Sequence, residues 1–157
     1  MSERAEALAA QFEQLIGELM AEIEQCSDKQ WRLNCKDEGW SVAVTAHHIA
    51  AGTSQIAGGV RIIASGQPFT LFSGGQVDKS NEQHARQHRD CTAEETLELL
   101  RRDVPPAVSL VRRLSDEQLG RSATVFASAP PLTTEQFIQR ILIGHAVGHI
   151  ESMRAAL

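Results

Sequence analysis

Six histidines carry the most chemistry in this chain: His47, His48, His84, His88, His145 and His149. His145 and His149 stand four residues apart in a segment with apolar steps of three and four: Phe137 or Ile138, Ile141 or Leu142, then His145, His149, Met153 and Ala156. On a helix that spacing puts both imidazoles on the apolar face one turn apart, with Cβ atoms ~5–6 Å apart, close enough to reach one cation. His48 lies on a similar stripe with Val44, Ala51 or Gly52, and Ile56. Packing the two stripes together brings three neutral nitrogen donors to one point and leaves a coordination position open, the pattern of a catalytic metal site.

A competing reading is a core histidine hydrogen-bonded to backbone or carboxylate, and the zinc-protease H-E-x-x-H glutamate is missing. Two imidazoles on one apolar stripe need partners, and a single cation satisfies both. His47 is the rival of His48, about 100° around the same helix and facing an Ala-rich neighbour. His84 and His88 also have the i, i+4 spacing, but their surroundings offer no apolar face, and Arg86 and Arg89 would repel a cation. They read as a solvated face. Gly144 and Gly148 beside the histidines are expected to leave a groove for a neighbouring helix or space beside a metal.

These residues need helices to position them. Apolar residues from Ala5 to Ile23 define an amphipathic helix over about Ser2 to Cys26. Ser27-Asp-Lys-Gln30 has capping-box spacing for a short turn. Ser41 is the expected N-cap of a second long helix running to about Ala64, with Gly58-Gly59 weakening its end, and Gly66-Gln-Pro68 closes it. Residues 66–76, with Gly74-Gly75, read as loop, and Asn81 to Arg89 as one short polar helix. Thr92-Ala-Glu-Glu95 caps a third long helix, in which Pro105-Pro106 predicts a kink or restart. Thr133-Thr-Glu-Gln136 caps the last, which continues almost to Leu157. No segment alternates with period two. The expected architecture is one all-α domain spanning 1–157, a four-helix bundle.

The chain has 157 residues, 15 Lys and Arg against 20 Asp and Glu, a net charge of −5 and 4% aromatics. That excludes a basic nucleic-acid surface and an aromatic stacking platform, and no Gly-turned helix pair presents a basic recognition helix. No run approaches the ~18 apolar residues of a membrane span, and Met1-Ser-Glu-Arg-Ala-Glu lacks a signal peptide's apolar core, so a cytoplasmic location is expected. Cys26, Cys35 and Cys91 form no C-x-x-C pair and read as free thiols, Cys35 in a polar loop.

Gly39-Trp40-Ser41-Val42, with His48 eight positions after the Trp and followed by Ile49-Ala50, resembles the opening of the second helix in DinB-like (YfiT-like) metal-dependent proteins. His145-Ala-Val-Gly-His149-Ile150, with Arg154, is similar to their closing H-x-x-x-H helix, and Asp78 and Asn81 fit their middle region. The resemblance implies an up-down-down-up four-helix bundle holding a divalent metal, zinc or nickel, on His48, His145 and His149. It also implies a homodimer and relatives among thiol-dependent enzymes: bacillithiol or glutathione S-transferases and the mycothiol-dependent maleylpyruvate isomerases, whose metal domain is similar. The expected function is thiol transfer or hydrolysis on a small molecule, possible partners including a low-molecular-weight thiol. No separate general base is evident, so a metal-activated water or thiolate is the expected nucleophile. The cleft is expected between the second helix and segment 66–82, with Asp78, Asn81 and Glu82 as polar substrate contacts. The alternative is a non-catalytic metal-binding or dimeric stress-response bundle.

Overall fold

Ser2 opens the first helix by accepting a hydrogen bond from the Ala5 amide, and α1 runs Glu3–Gln25. The Ser27–Gln30 capping box forms as its spacing predicts and starts the single turn α2, Asp28–Trp31. Trp31 is buried and its indole N–H donates to the Cys91 carbonyl at 2.9 Å, tying this turn to the approach of the third long helix. The computed structural model describes residues 1–71 and 75–157, so Gly74 of the expected glycine loop lies outside the described residues.

Ser41 caps α3, Val42–Ala64, by accepting from the Val44 amide at 3.1 Å. The helix continues unbroken through Gly58 and Gly59. A Cβ on Gly59 would lie 2.9 Å from the Phe69 ring and 3.0 Å from the Phe137 ring, so the missing side chain lets two aromatic rings close over the helix. The polar helix, α4, spans Gln76–Gln87 and begins five residues earlier than Asn81.

Thr92 and Glu95 form a full capping box on α5, Ala93–Arg112. Pro105 and Pro106 lie inside this one helix, so the expected restart does not occur. Both prolines are exposed, and so are Arg101 and Arg102, the residues whose carbonyls lose their amide partners. Val104, Ala107, Val108 and Val111 remain buried and hold the helix on the core. A second short turn, α6 (Asp116–Gly120), is capped by Ser115. A two-residue antiparallel ladder follows, β1 (Ser122–Ala123) against β2 (Leu132–Thr133); this small ribbon leaves the fold mostly helical, as expected.

The C-terminal helix begins as α7, Thr134–Phe137, with its Thr133–Gln136 capping box complete. It widens into a π-helical segment, Ile138–Ile143, and resumes as α8, Gly144–Ala156. A Cβ on Gly144 would approach the Gln139 carbonyl oxygen to 3.1 Å, whereas nothing lies within 4 Å of that position on Gly148. Gly144 therefore accommodates the widened turn, and neither glycine serves as a seat for a neighbouring helix.

The four long helices form a four-helix bundle. α5 packs against both α1 and α3, α3 packs against α8, and the π segment reaches back to α1. Arg112, at the end of α5, pairs with Glu6 and Glu13 of α1 at 2.9 Å each, and Arg101 reaches Glu24 at 3.7 Å, so α1 and α5 run antiparallel. Between the helices Phe12, Ile16, Leu19, Val60, Ile63, Leu100, Phe137 and Ile150 are almost wholly removed from solvent. Each such side chain contributes roughly 1.5–3 kcal/mol of transfer free energy. No helix of the described residues is long and apolar enough to cross a membrane.

Candidate metal centre

α3 and the C-terminal helix are antiparallel: Gly59 near the end of α3 meets Phe137, while His48 in its second turn meets α8. That pairing brings His48 and the two α8 histidines together across 97 residues of sequence. His48 Nε2 lies 2.9 Å from His145 Nε2, and His145 Nε2 lies 3.2 Å from His149 Nε2. One nitrogen from each ring falls within 4.8 Å of the other two. Nitrogens bound tetrahedrally to zinc at 2.0–2.1 Å stand roughly 3.3–3.4 Å apart, so small ring movements fit this group around a cation.

The histidines stand at the margin of the apolar stripe and not in its centre. Leu142, Ala146, Ile150 and Met153 are buried, while His145, His149 and His48 are half-buried. This placement suits a site that must exchange ligands with solvent. Burial, followed by the neighbouring imidazoles, pushes His48 down to about 3 and His145 to about 4. Both rings are therefore neutral near pH 7, with lone pairs available to a metal.

Glu38 completes the arrangement and was not singled out by the sequence pattern. Its Oε1 accepts from His149 Nδ1 at 2.7 Å, and its Oε2 accepts from the Ser152 hydroxyl at 2.5 Å. Burial works against the Glu38 carboxylate, but the Ser152 and His149 hydrogen bonds outweigh it and hold its pKa below the usual carboxylate value. A carboxylate on Nδ1–H fixes the His149 tautomer with the Nε2 lone pair facing the other two rings. Gly39 has φ +71°, a left-handed turn that lets the chain pass from Glu38 into Trp40. Trp40 stacks on His149 at 6.2 Å and meets the His48 ring edge-on at 5.2 Å, forming one wall of the site.

The other site expectations fare differently. His47 faces no Ala-rich neighbour; it packs against His84 and His88. His84 and His88 accordingly turn towards α3, and are no solvated face. Asp78 and Glu82 are exposed and Asn81 is half-buried on α4. A cavity of about 550 Å³ beside Trp40 is lined by Val44, Ala85, Arg86 and Arg89, and one of about 600 Å³ opens at His47 and His88. Asp78, Asn81 and Glu82 line neither cavity. The three cysteines are free; Cys35 does lie in the polar loop before α3, but its own side chain is fully buried.

Among solved structures the chain is similar to YfiT from Bacillus subtilis, described as a probable metal-dependent hydrolase with an unusual four-helix bundle topology. The TM-score is 0.70 at 18% identity, covering 99% of this chain and 87% of that one. The likeness shows the fold. No functionally curated protein matches the chain. The three converging histidines and their supporting glutamate all fall within residues 11–153, the stretch that matches the DinB superfamily, and the chain belongs to that superfamily.

Proposed function

We propose that the chain is a metal-dependent enzyme whose ligands are His48, His145 and His149 and whose substrate is a small molecule. The observation that carries this reading is the convergence of three imidazole nitrogens at 2.9 and 3.2 Å, with Glu38 behind one of them. When bound, a divalent cation such as zinc or nickel supplies a Lewis acid that lowers the pKa of whatever group takes its open position. His48, His145 and His149 supply the ligand nitrogens. Glu38 holds the His149 ring and its proton, and Ser152 holds Glu38. Trp40 shields the rings on one side and borders the 550 Å³ cavity, where Arg32, Arg86 and Arg89 outnumber Asp90 and leave positive charge suited to an anionic small molecule.

The half-buried setting and the set of three histidines favour catalysis over a closed structural site, which would surround its ion with four protein ligands. Either water or a thiol fits the open position. Hydrolysis agrees with the description of YfiT, and thiol transfer is the activity that the motif resemblance brings.

The experiment is a screen of zinc- and nickel-loaded protein. One arm uses cysteine, glutathione, bacillithiol or mycothiol with an electrophile; the other uses ester and amide substrates. Turnover in either arm that His149→Ala abolishes together with one equivalent of metal supports the proposal. Retention of full metal and turnover by that variant overturns it.

A further inference from the structure

His47, His84 and His88 form a second imidazole group that the proposed reaction does not use. His47 is buried on α3 directly before His48, and His84 and His88 lie one turn apart at the end of α4. His47 Nδ1 is 2.8 Å from His84 Nε2, and the His47 ring stacks on His88 at 4.0 Å with 21° between planes. One nitrogen of each ring lies within 4.8 Å of the other two. His84 Nδ1 is buried with no hydrogen-bond partner among the described residues, an expensive state for a polar atom.

We propose that His47, His84 and His88 bind a second divalent transition-metal cation, separate from the one assigned to His48, His145 and His149. Three imidazoles and no carboxylate in the inner set select zinc, nickel, cobalt or copper over magnesium or calcium, which prefer oxygen. The cation sits at the C-terminal end of α4, where unpaired carbonyls present partial negative charge. Entry is through the 600 Å³ cavity, whose lining includes Asp90, Glu95 and Glu98 against the single cation Arg102, itself paired with Asp103 at 2.8 Å. Arg86 lies about 200° around α4 from His84 and lines the other cavity with Arg89, which pairs with Asp90 at 3.4 Å, so neither arginine blocks this entrance.

The two histidine groups meet where the His48 and His84 rings stand 5.5 Å apart. Two dications held in adjoining groups repel each other, which separates their affinities, so the sites fill in sequence. The assignment stands on its own residues and does not depend on the catalytic reading.

The test is metal stoichiometry on the full chain, stripped with chelator and titrated with Zn2+ alone, bound metal being measured by elemental analysis after dialysis. Wild type is expected to bind two ions, and the His84→Ala/His88→Ala and His145→Ala/His149→Ala variants one each. A wild type that binds one ion, lost with His145 and His149 and kept without His84 and His88, overturns the second site. One ion lost only with His84 and His88 supports it and overturns the first. Should the double variant fail to fold by circular dichroism, His88→Gln alone is expected to weaken the second binding step at least tenfold; unchanged binding overturns the proposal.

Discussion

Glu38 and His149 are 111 residues apart in the chain and 2.7 Å apart in the fold, a carboxylate oxygen accepting from an imidazole N–H. The contact joins the turn before α3 to the middle of α8. It sets which nitrogen of His149 faces the other two rings.

Removing that carboxylate should weaken metal binding at the proposed site without removing a proposed ligand. Glu38→Ala is expected to lower zinc affinity by about 10–100-fold, read by competition with a chromophoric chelator. Glu38→Gln, which keeps an oxygen acceptor, should fall between that variant and wild type. Equal affinity in all three proteins would dissociate Glu38 from the site.

Two adjacent glycines should respond in opposite directions. Gly59→Ala drives a methyl group to within about 3 Å of the Phe69 and Phe137 rings. Overpacking of this kind costs about 1–3 kcal/mol, more than the helix propensity of Ala returns, so Tm should fall by a few degrees. Gly58→Ala meets nothing within 4 Å in the same helix and should raise Tm. Thermal melts of the two proteins side by side decide the matter.

The metal-free chain should lose stability in mild acid. His47, His84 and His145 are pushed down to about 4 and His48 to about 3, chiefly by burial, against an ordinary 6.5. Between pH 6.5 and about 4 the unfolded chain takes up protons that the folded chain refuses, so the stability present above pH 6.5 is lost as pH falls through that window. Solvent screening at the exposed ring edges reduces the effect, leaving a Tm decrease of roughly 5 °C or more between pH 7 and pH 4.5. A flat Tm over that range would contradict neutral, buried rings.

Thiol reactivity should separate the cysteines. Cys35 and Cys91 are buried and Cys26 is half-buried, with burial raising the pKa of all three thiols. A disulfide reagent is expected to titrate about one thiol per native chain slowly, and all three after denaturation. Rapid labelling of Cys35 in the folded protein would refute its burial.

The frame was legible because its signals are local. Ser41, Thr92 and Thr133 stand directly before their helices, and the caps form where the spacing places them. The His145–His149 pair was equally legible, since one helical turn determines its geometry. Glu38 was not, because it lies in a turn and its partners come from the far end of the chain. His84 and His88 misled for a related reason. Their neighbours in sequence form no apolar face, but the surface they pack on is another imidazole, His47. Pro105-Pro106 does not restart the helix, because the buried valines of α5 hold the chain on the core through the two missing amide donors.

The widened turn at Ile138–Ile143 has a consequence for the spacing of the chain. Each residue advances a helix by about 100°, and a π segment accommodates one more residue than a regular turn. Shortening this stretch by one residue would let it close to a regular turn with His145 and His149 still facing His48, whereas removing one residue between the two histidines would turn His149 by about 100° relative to His145. The meeting of the three rings is therefore encoded partly as phase: the widened turn can lose a residue and keep it, while a deletion among Ala146, Val147 and Gly148 breaks it with every imidazole still present.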